Sequence, residues 1–351
     1  MGSRGAVIAA RLREWGALDL PVEREVFGSA LPEEIADAVD AWCRAHLGAP
    51  VERYDFFESS SGSVHGVLLT DGRAVVVKGH RAAVSHDFLA AVTAIQSALV
   101  ESGYPAPRPL VGPVAVGGGH VTAEVMLDRS PDVDGHDPAV RAVLAAGLAQ
   151  FIVLAQRHCD RLARVAHPMS VPESALYPTP HSPRFDFAST AAGAEWIDTL
   201  TARARARLRS LPEVPDVVVH GDWRIENLCV RAGRLVGVYD WDSVHVAREV
   251  AAVATAATTF SVDWNQPAGN RFPHRHEISA FVSDYEVARG SEFSADERDL
   301  LAASMVASLA YGARCEHADS GEPPSGDDSQ RGLLTTLGEA LLDDGLATLR
   351  E

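Results

Sequence analysis

Residues 217–230 read VVVHGDWRIENLCV, and residues 237–244 read GVYDWDSV. In each stretch a run of apolar and β-branched residues, typical of a buried strand, ends in acidic or amide side chains. The loop between Asp222 and Asn227 is long enough to turn both side chains toward one point. Asp240 and Asp242 would share a face if their segment were extended, because side chains two residues apart in a strand point the same way. The two stretches therefore predict a cluster of oxygen ligands at the ends of two consecutive strands.

The residue types in this cluster indicate the chemistry that it suits. A carboxylate and an amide oxygen form a hard-oxygen set that fits Mg²⁺ and phosphate rather than zinc. The order of Asp222, four residues, Asn227, a strand and then Asp240 also matches the phosphoryl-transfer template of the protein kinases. In that template one Asp accepts the proton of the attacking hydroxyl, while the Asn and the second Asp hold the metal. His220 is therefore expected to be structural rather than a base.

On these residues the chain resembles the aminoglycoside phosphotransferase and choline-kinase-like family of small-molecule kinases, whose signature is His-Gly-Asp, four residues, Asn and then a strand ending in Asp. The order of the predicted elements extends the resemblance to roughly residues 30–315. It implies an α+β, bilobal protein-kinase-like fold with a small antiparallel-sheet N-lobe and a larger, mainly helical C-lobe. Residues 1–128 would form the nucleotide-binding lobe, including an extension of residues 1–28, and residues 129–351 the catalytic and acceptor-binding lobe.

The resemblance also implies roles for individual residues. Asp222 would be the catalytic Asp, and Asn227 and Asp240 would hold Mg²⁺, with Asp242 as a further metal candidate. Lys78, in the stretch RAVVVKGH, would grip the phosphates of ATP or GTP. The remaining nucleotide contacts would come from the phosphate loop within residues 58–67 and from the adenine-contacting hinge, namely Ser61, Gly62, Ser63, Met126, Leu127 and Asp128.

One departure from the family pattern concerns the partner of Lys78. In the kinase template this lysine pairs with a Glu on the helix that follows. The predicted helix from Ser85 to Gly103 has no Glu before Glu101, which lies at its end. Asp87, near the start of the helix, is the candidate substitute.

Hydrophobic periodicity and turn residues give the expected elements. The Asp71-Gly72 pair predicts a hairpin between two strands, and YPAPRPLVGP (104–113) is expected to be a proline-rich loop. The other predicted elements include helices over 31–48, 85–103, 138–165, 194–211, 247–260, 276–290 and 294–318, and strands over 120–128, 216–222 and 233–242.

Composition narrows the classes of partner and compartment. The chain has 351 residues and a formal net charge of −17, which argues against binding to nucleic acid. No uninterrupted apolar run approaches the roughly 18–20 residues that span a bilayer, and the N-terminus lacks the apolar core of a secretory signal. The four cysteines are widely spaced, so neither a zinc site nor a disulfide framework is expected. We therefore expect a cytoplasmic protein, either a monomer or a homodimer, that binds no membrane.

The leading functional hypothesis is a Mg²⁺-dependent phosphotransferase that moves the γ-phosphate of ATP or GTP to a hydroxyl of a small molecule. An antibiotic of the aminoglycoside or nucleoside type is the expected acceptor, which would make this a resistance enzyme. A sugar or amino alcohol of primary metabolism would use the same core. A catalytically degenerate, kinase-like ligand-binding protein is the alternative outside enzymes. A phosphohydrolase built on His220, Asp222, Asp240 and Asp242 would not need Lys78.

Overall fold

The computed structural model describes residues 5–15, 20–128, 133–320 and 328–350. These residues form two compact units. The first unit contains the described residues up to Asp128, together with Val165–Pro168 and His181–Pro183. The second unit contains the other described residues. The first is built on a sheet and the second mainly on helices, so the predicted α+β class is confirmed.

A five-stranded antiparallel sheet forms the centre of the first unit, with the strand order β1-β2-β3-β5-β4. Its strands are β1 (Val51–Ser59), β2 (Gly62–Leu69), β3 (Ala74–His80), β4 (Pro109–Val116) and β5 (Gly119–Val125). The helices of this unit are α1 (Ala6–Trp15), α2 (Pro21–Phe27), α3 (Pro32–Leu47) and α4 (His86–Glu101). Apolar residues of α1, α2 and α3 pack against one face of the sheet in a single core. The N-terminal extension thus contributes two helices to the unit.

The hairpin between β2 and β3 forms at the predicted turn. Gly72 has a φ of +86°, a backbone conformation that glycine adopts without strain. The Asp71 carboxylate accepts hydrogen bonds from the backbone N–H and from Nε of Arg73. This turn sets the register of β2 against β3, in which Lys78 lies opposite Val64. On the other side of β3, Lys78 lies opposite Thr122 of β5.

The prediction of a loop over residues 104–113 is wrong in its second half. Pro109–Val116 forms β4, which lies at the edge of the sheet and pairs only with β5. An edge strand tolerates proline because its outer row of N–H groups needs no partner strand. The register of β4 against β5 shifts between Pro109 and Val111 and again between Val111 and Val114. These irregularities accommodate prolines that the sequence pattern alone associates with a loop.

The second unit contains seven α-helices in its described part. They are α5 (Pro138–Ala155), α6 (Cys159–Leu162), α7 (Glu195–Ser210), α8 (Glu249–Thr259), α9 (Arg275–Arg289), α10 (Ala295–Ser320) and α11 (Gln330–Asp343). Its four strands are β6 (Asp216–His220), β7 (Leu228–Arg231), β8 (Arg234–Val238) and β9 (Val244–Arg248). β6 pairs with β9, and β7 pairs with β8.

Two of these elements differ from the predicted ones. The helix predicted over 138–165 is interrupted by a 3₁₀ turn at Gln156–His158, so α5 ends at Ala155. The strand β9 was not predicted, and it exists because β6 supplies an antiparallel partner from earlier in the chain. A pairing of this kind depends on contacts that local sequence pattern does not report.

One helical segment, Pro138–Leu162, is long and apolar enough to cross a membrane by length and composition alone. From the sequence no such segment was expected, because no uninterrupted apolar run is long enough. Arg141 and Gln150 interrupt the run, but the mean hydropathy of the segment stays high enough for a membrane span. A single helix of this kind is weak support for a membrane span, since a core helix of a soluble protein passes the same test. Leu144, Leu148 and Phe151 are buried inside the second unit, so core packing accounts for the apolar character of α5.

A buried carboxyl group on α2 makes the stability of the first unit depend on pH. Glu23 is fully buried, and neither of its carboxyl oxygens has a hydrogen-bond partner among the described residues. Burial raises the pKa of Glu23, and the nearby hydroxyls of Ser63 and Ser59 oppose this only in part. The folded state therefore holds a proton that the unfolded chain releases, and stability falls as pH rises from the unfolded pKa, about 4.5, through the raised folded pKa.

We expect the melting temperature of Glu23→Gln, compared with that of the wild type at the same pH, to rise as pH is raised from about 5 to 8. The reason is that the amide has no proton to lose. Thermal unfolding followed by circular dichroism across this range measures the difference. Glu25→Gln is the matched control, since bonds from Arg81 and Ala82 outweigh burial and lower the pKa of Glu25. Glu25→Gln should melt at a lower temperature than the wild type at pH values above the unfolded-state pKa of Glu25. A difference between Glu23→Gln and wild type that does not change with pH would contradict the assignment.

Candidate functional site

The His-Gly-Asp triplet lies where β6 ends, and a glycine is required at its centre. The N–H of Gly221 donates to the carbonyl of Ser243, with 3.2 Å between the two atoms. A Cβ atom at position 221 would lie 2.8 Å from that carbonyl oxygen and 2.8 Å from the ring of His245. No side chain fits in this space without a shift of the backbone. The glycine thus lets β6 pass close to the turn before β9 and deliver Asp222 beyond it.

His220 is held as a structural residue, as expected. Its Nε2 lies 2.7 Å from the carbonyl oxygen of Tyr239, and its Nδ1 lies 3.3 Å from the backbone N of Asp222. A carbonyl only accepts and a backbone N–H only donates, so these two partners fix the neutral tautomer with the proton on Nε2. The ring is buried and unable to reach a substrate as a base.

The carboxylate of Asp222 is oriented by two neighbours that bind the same oxygen. Nδ2 of Asn227 donates to Oδ2 of Asp222 over 2.8 Å and to its backbone carbonyl over 3.0 Å. Nη2 of Arg224 lies 3.1 Å from the same Oδ2. Both partners of the Asn227 amide nitrogen are acceptors, which fixes the orientation of the amide and turns its oxygen away from Asp222. Oδ1 of Asp222 has no partner among the described residues.

Arg224 is a member of the site that the sequence did not single out. Besides Asp222 it pairs with Glu226, whose Oε2 lies 3.1 Å from its Nε. Burial by itself would lower the pKa of Arg224, but the charges of Asp222, Glu226 and Asp240 outweigh burial and raise it. One guanidinium therefore balances the charge of several carboxylates.

The geometry predicted for Asp240 and Asp242 is wrong in one respect. The two residues do not lie in an extended segment, because Asp240 has the left-handed backbone angles φ +59° and ψ +49° and Trp241–Ser243 forms a 3₁₀ turn. A left-handed conformation at a non-glycine residue is strained, and such strain concentrates at functional sites. The turn is locked by Ser243, whose hydroxyl donates to the carbonyl of Asp240 over 2.8 Å.

Asn227 and Asp240 nevertheless come from adjoining backbone. The N–H of Tyr239 donates to the carbonyl of Asn227 over 2.8 Å, so Asp240 follows directly on a residue bonded to Asn227. The indole of Trp241 is buried and donates to the carbonyl of Val238, which anchors the turn that carries both aspartates. The structure thus brings together Asp222, Asn227 and the Asp240 turn within the second unit.

In the first unit, the loop residues predicted to contact phosphate differ in exposure. Ser61 is exposed, whereas Ser63 is buried and its hydroxyl lies 2.8 Å from Nε2 of His65. Burial lowers the pKa of His65 to about 3, so this ring is neutral. At Gly62 a Cβ atom would lie 2.9 Å from the carbonyl of Gly79, so the loop needs a glycine there. Ser61 and the loop backbone are therefore better placed to meet a ligand than the hydroxyl of Ser63.

Lys78 has a different partner from the predicted one. Its Nζ lies 3.4 Å from Oε1 of Glu124, a residue of β5. Asp87 is not the substitute, because its side chain is 87% exposed and pairs with the neighbouring His86. The sequence reasoning missed Glu124 because it looked for the acid on the following helix. A carboxylate inside the predicted strand HVTAEV was a signal that could have revealed it.

The three residues predicted as the adenine-contacting hinge follow β5 directly. The N–H of Met126 donates to the carbonyl of Ala74 at the start of β3, which continues the sheet hydrogen bonding by one residue. Leu127 is half-buried and Asp128 is exposed. The hinge role of these residues stays a prediction.

Another group of possible metal ligands, His136, His274 and Glu277, lies in the second unit. Hydrogen bonding explains this group without a metal. His274 and Glu277 form the capping box at the start of α9. The ring of His136 lies 2.9 Å from Glu277 through Nδ1 and 2.9 Å from the carbonyl of Asn270 through Nε2. Both ring nitrogens of His136 thus have hydrogen-bond partners within the protein.

Comparison with known families identifies a relationship across most of the chain. The model of the phosphotransferase enzyme family, APH, matches residues 60–290. This range is about two thirds of the sequence and includes Lys78, the His-Gly-Asp triplet and the Asp240 turn. No curated protein matches the sequence significantly.

Several solved structures are similar in fold at low sequence identity. An amicoumacin kinase solved with AMP-PNP, Ca²⁺ and Ami is 11% identical, over 84% of this chain and 90% of that chain, with a TM-score of 0.60. A protein from Ralstonia eutropha described as a candidate aminoglycoside phosphotransferase is 14% identical, over 90% and 98% of the chains, with a TM-score of 0.53. A candidate fructosamine-3-kinase from Thermobifida fusca is 16% identical, over 87% and 98%, with a TM-score of 0.52. The predicted protein-kinase-like fold is confirmed.

Proposed function

The chain belongs to the phosphotransferase enzyme family, and on that basis we propose that it transfers the γ-phosphate of ATP or GTP, with Mg²⁺, to a hydroxyl group of a small molecule. One observation supports this most directly. Oδ2 of Asp222 is held by Asn227 and Arg224, while Oδ1 has no partner in the described part of the chain. A carboxylate fixed by one oxygen and open at the other is suited to accept the hydrogen bond of an acceptor hydroxyl.

In the proposed reaction the acceptor hydroxyl donates its hydrogen bond to Oδ1 of Asp222. The hydroxyl oxygen forms a bond to the γ-phosphorus, and the bond from that phosphorus to the bridging oxygen of the β-phosphate breaks. The hydroxyl proton passes to Asp222, and the nucleoside diphosphate leaves with the electron pair of the broken bond. Positioning and electrostatic stabilisation provide most of the catalysis in such a reaction, because the protein takes little part in its covalent chemistry.

The donor set of the second unit fits a magnesium ion. The amide oxygen of Asn227 and the carboxylates of Asp240 and Asp242 are all hard oxygen ligands, and the amide oxygen of Asn227 faces away from Asp222. These three residues would hold the metal, which would neutralise charge on the phosphate oxygens. The structure of an amicoumacin kinase with AMP-PNP and Ca²⁺ supports an adenine nucleotide and a divalent cation as ligands.

Residues of the first unit would bind the nucleotide. Lys78 would contact the phosphates, and Ser61 and Gly62, with the backbone at Ser63, would cover them. Met126, Leu127 and Asp128 would border the adenine or guanine base. The ion pair with Glu124 holds the ammonium group of Lys78 in place, and an ammonium group is a strong donor to phosphate oxygens.

An antibiotic is the proposed acceptor class, supported by the fold likeness to a kinase of the antibiotic amicoumacin. Among the acidic residues that could meet amines of an acceptor, Asp284 is bound to Arg141 and Glu286 to Arg298. Asp263 lies closer to the site, since Asn265 bonds both it and Glu226. Two of these three acids are therefore already paired with arginines, which favours an acceptor with few amines. The likeness to a candidate fructosamine-3-kinase keeps a metabolite acceptor as the second candidate.

Two other functions fit the geometry less well. A phosphohydrolase would need His220 near its substrate, but that ring is buried and bonded on both nitrogens. A degenerate binding module would not need an oriented Asp222 or the strained turn at Asp240. Both alternatives would also leave the buried Lys78 pair without a purpose.

The acceptor class is tested by incubating the protein with Mg²⁺ and either ATP or GTP against a panel of acceptors. The panel contains amicoumacin, aminoglycosides, macrolides, nucleoside antibiotics, sugars, glycated amines and amino alcohols. Mass spectrometry identifies the acceptor that gains a phosphate, and reactions without Mg²⁺ and with Asp222→Asn serve as controls. We expect an antibiotic with few amines to be modified. A metabolite as the only substrate would overturn the antibiotic assignment and leave the kinase assignment intact.

Arg224→Gln should lower kcat for phosphate transfer by about 10- to 100-fold, because a hydrogen bond to a charged group contributes roughly 1.5–3 kcal/mol. The KM for the nucleotide should change little, since Arg224 holds Asp222 and Glu226 rather than the donor. Steady-state kinetics with the nucleotide and the acceptor varied in turn separate the two constants. Arg224→Lys keeps the charge but cannot contact Asp222 and Glu226 at once with two guanidinium nitrogens. Its kcat should lie between those of the wild type and Arg224→Gln. An unchanged kcat in Arg224→Gln would show that the Asn227 bond alone orients Asp222.

A further inference from the structure

Three buried polar side chains of the first unit form one linked group around Lys78. Lys78 and Glu124 are 8% and 6% exposed, and Nζ of the lysine lies 3.4 Å from Oε1 of the glutamate. Gln96 of α4 is also buried, and its Nε2 donates to Oε2 of Glu124 over 2.8 Å. A buried charge without a partner is strongly unfavourable, so this arrangement is specific and not a chance surface contact.

The sheet itself fixes the position of Glu124 relative to Lys78. The strands β3 and β5 are hydrogen-bonded neighbours in which Lys78 lies opposite Thr122 and Val76 lies opposite Glu124. Lys78 and Glu124 are therefore diagonal neighbours on the same face, a separation that long side chains bridge easily. The contact depends on strand register and not on the placement of a helix.

Gln96 determines which oxygen of Glu124 meets the lysine. Its Nε2 donates both to Oε2 of Glu124 and to the carbonyl of Pro107, each over 2.8 Å. Both partners are acceptors, so the orientation of the amide is fixed. With Oε2 held by Gln96, Oε1 faces Lys78. The helix thus supplies a neutral amide where the kinase template has a glutamate.

We infer that Glu124 is the anion that positions Lys78 for the phosphates of the nucleotide, and that Gln96 orients Glu124. This inference rests on the proposed function. It replaces the helix glutamate of the kinase template with a carboxylate on a neighbouring strand. A shift of α4 would break the Gln96 bond but would leave the ion pair in place, because both of its residues belong to the sheet. If α4 moves, the strand register still keeps Lys78 beside Glu124, whereas the choice of carboxylate oxygen depends on Gln96.

The test measures the affinity for Mg-ADP and Mg-AMP-PNP by titration calorimetry, which needs no known acceptor. Glu124→Gln should bind both nucleotides roughly 10- to 100-fold more weakly than wild type, the range expected for loss of one charge-assisted contact at a buried lysine. Lys78→Met shows how much nucleotide affinity is lost when the ammonium group is removed entirely. Glu101→Gln, an exposed carboxylate at the end of α4, is the matched control and should bind as wild type does.

The double variant Glu124→Gln with Gln96→Glu moves the carboxylate from β5 to α4 and keeps the composition of the buried group. We expect it to recover at least part of the affinity lost in Glu124→Gln, because a carboxylate again faces Lys78. A purely structural role for Glu124 would instead lower the melting temperature and leave nucleotide affinity unchanged. If Glu124→Gln does not fold, the double variant and Glu124→Asp, which keeps the charge at a shorter reach, carry the same comparison.

Different outcomes separate this inference from the proposed function. If wild type binds neither nucleotide, the proposed function is wrong. If wild type binds, Lys78→Met loses affinity and Glu124→Gln binds as tightly as wild type, the inference is wrong and the proposed function stands. Recovery of affinity in the double variant supports the inference, because a packing defect at position 124 would not be repaired by a charge on α4.

Discussion

Asp222→Asn is expected to lower kcat/KM for phosphate transfer by about 10³-fold, within the range of 10²- to 10⁴-fold that general acid–base groups contribute. The amide oxygen of the variant can still accept the bonds from Asn227 and Arg224 that Oδ2 accepts in wild type. The amide NH₂ group then stands at the position of Oδ1 and cannot take a proton from the acceptor. The loss should therefore fall on kcat, with the KM for the nucleotide nearly unchanged.

Asp216→Asn is the matched control, since Asp216 is an exposed carboxylate at the start of the same strand. It should keep wild-type kinetics, and all three proteins should unfold at similar temperatures. A variant at position 222 that retains more than about a tenth of the activity would show that Asp222 contributes less than a general base does.

Trp223→Ala is expected to lower the free energy of unfolding of the second unit by about 3–5 kcal/mol, the range measured for deletion of large buried aromatic side chains. The side chain is 0% exposed, and its Nε1 donates to the carbonyl of Leu144 in α5 over 3.0 Å. Its ring lies edge-on to His220, with centroids 5.5 Å apart. The variant loses the aromatic surface and the hydrogen bond from the indole to the carbonyl of Leu144.

Denaturant unfolding with a fluorescence or circular dichroism readout measures this effect. Trp196→Ala, in α7, is the control, because that side chain is 37% exposed and should lose clearly less stability. Equal losses in the two variants would contradict the view that Trp223 anchors the catalytic loop to α5. Since Trp223 adjoins Asp222, the variant should also lose activity at temperatures where it remains folded.

The parts of the fold that the sequence predicts correctly are those with local causes. The Asp71-Gly72 turn forms where expected, because glycine adopts the positive φ of that position without strain. The apolar run before His220 forms a buried strand for the reason that the pattern suggests. β4 and β9 were missed because their existence depends on partner strands, and proline in an edge strand gives the same pattern as a loop.

For the candidate site too, the sequence predicts correctly the features that have local causes and misses those that depend on the folded chain. The spacing of Asp222 and Asn227 correctly predicts that their side chains meet, since a short loop limits where both can point. The extended segment expected at Asp240 and Asp242 does not form, because Asp240 takes a left-handed conformation that the local sequence pattern does not predict. Glu124 was missed because its pairing with Lys78 crosses between strands 46 positions apart in the sequence. Charge pairs of this kind follow from sheet register and become visible only in the folded chain.

The central claim is that the protein moves a γ-phosphate to an organic hydroxyl, and one measurement tests it most directly. ATP labelled at the γ-phosphate is incubated with Mg²⁺, the acceptor panel and either wild type or Asp222→Asn, and the label is separated into phosphate esters and inorganic phosphate. The account predicts label in an ester with wild type and almost none with the variant. Label found only in inorganic phosphate, or in an ester to the same extent with both proteins, would contradict it.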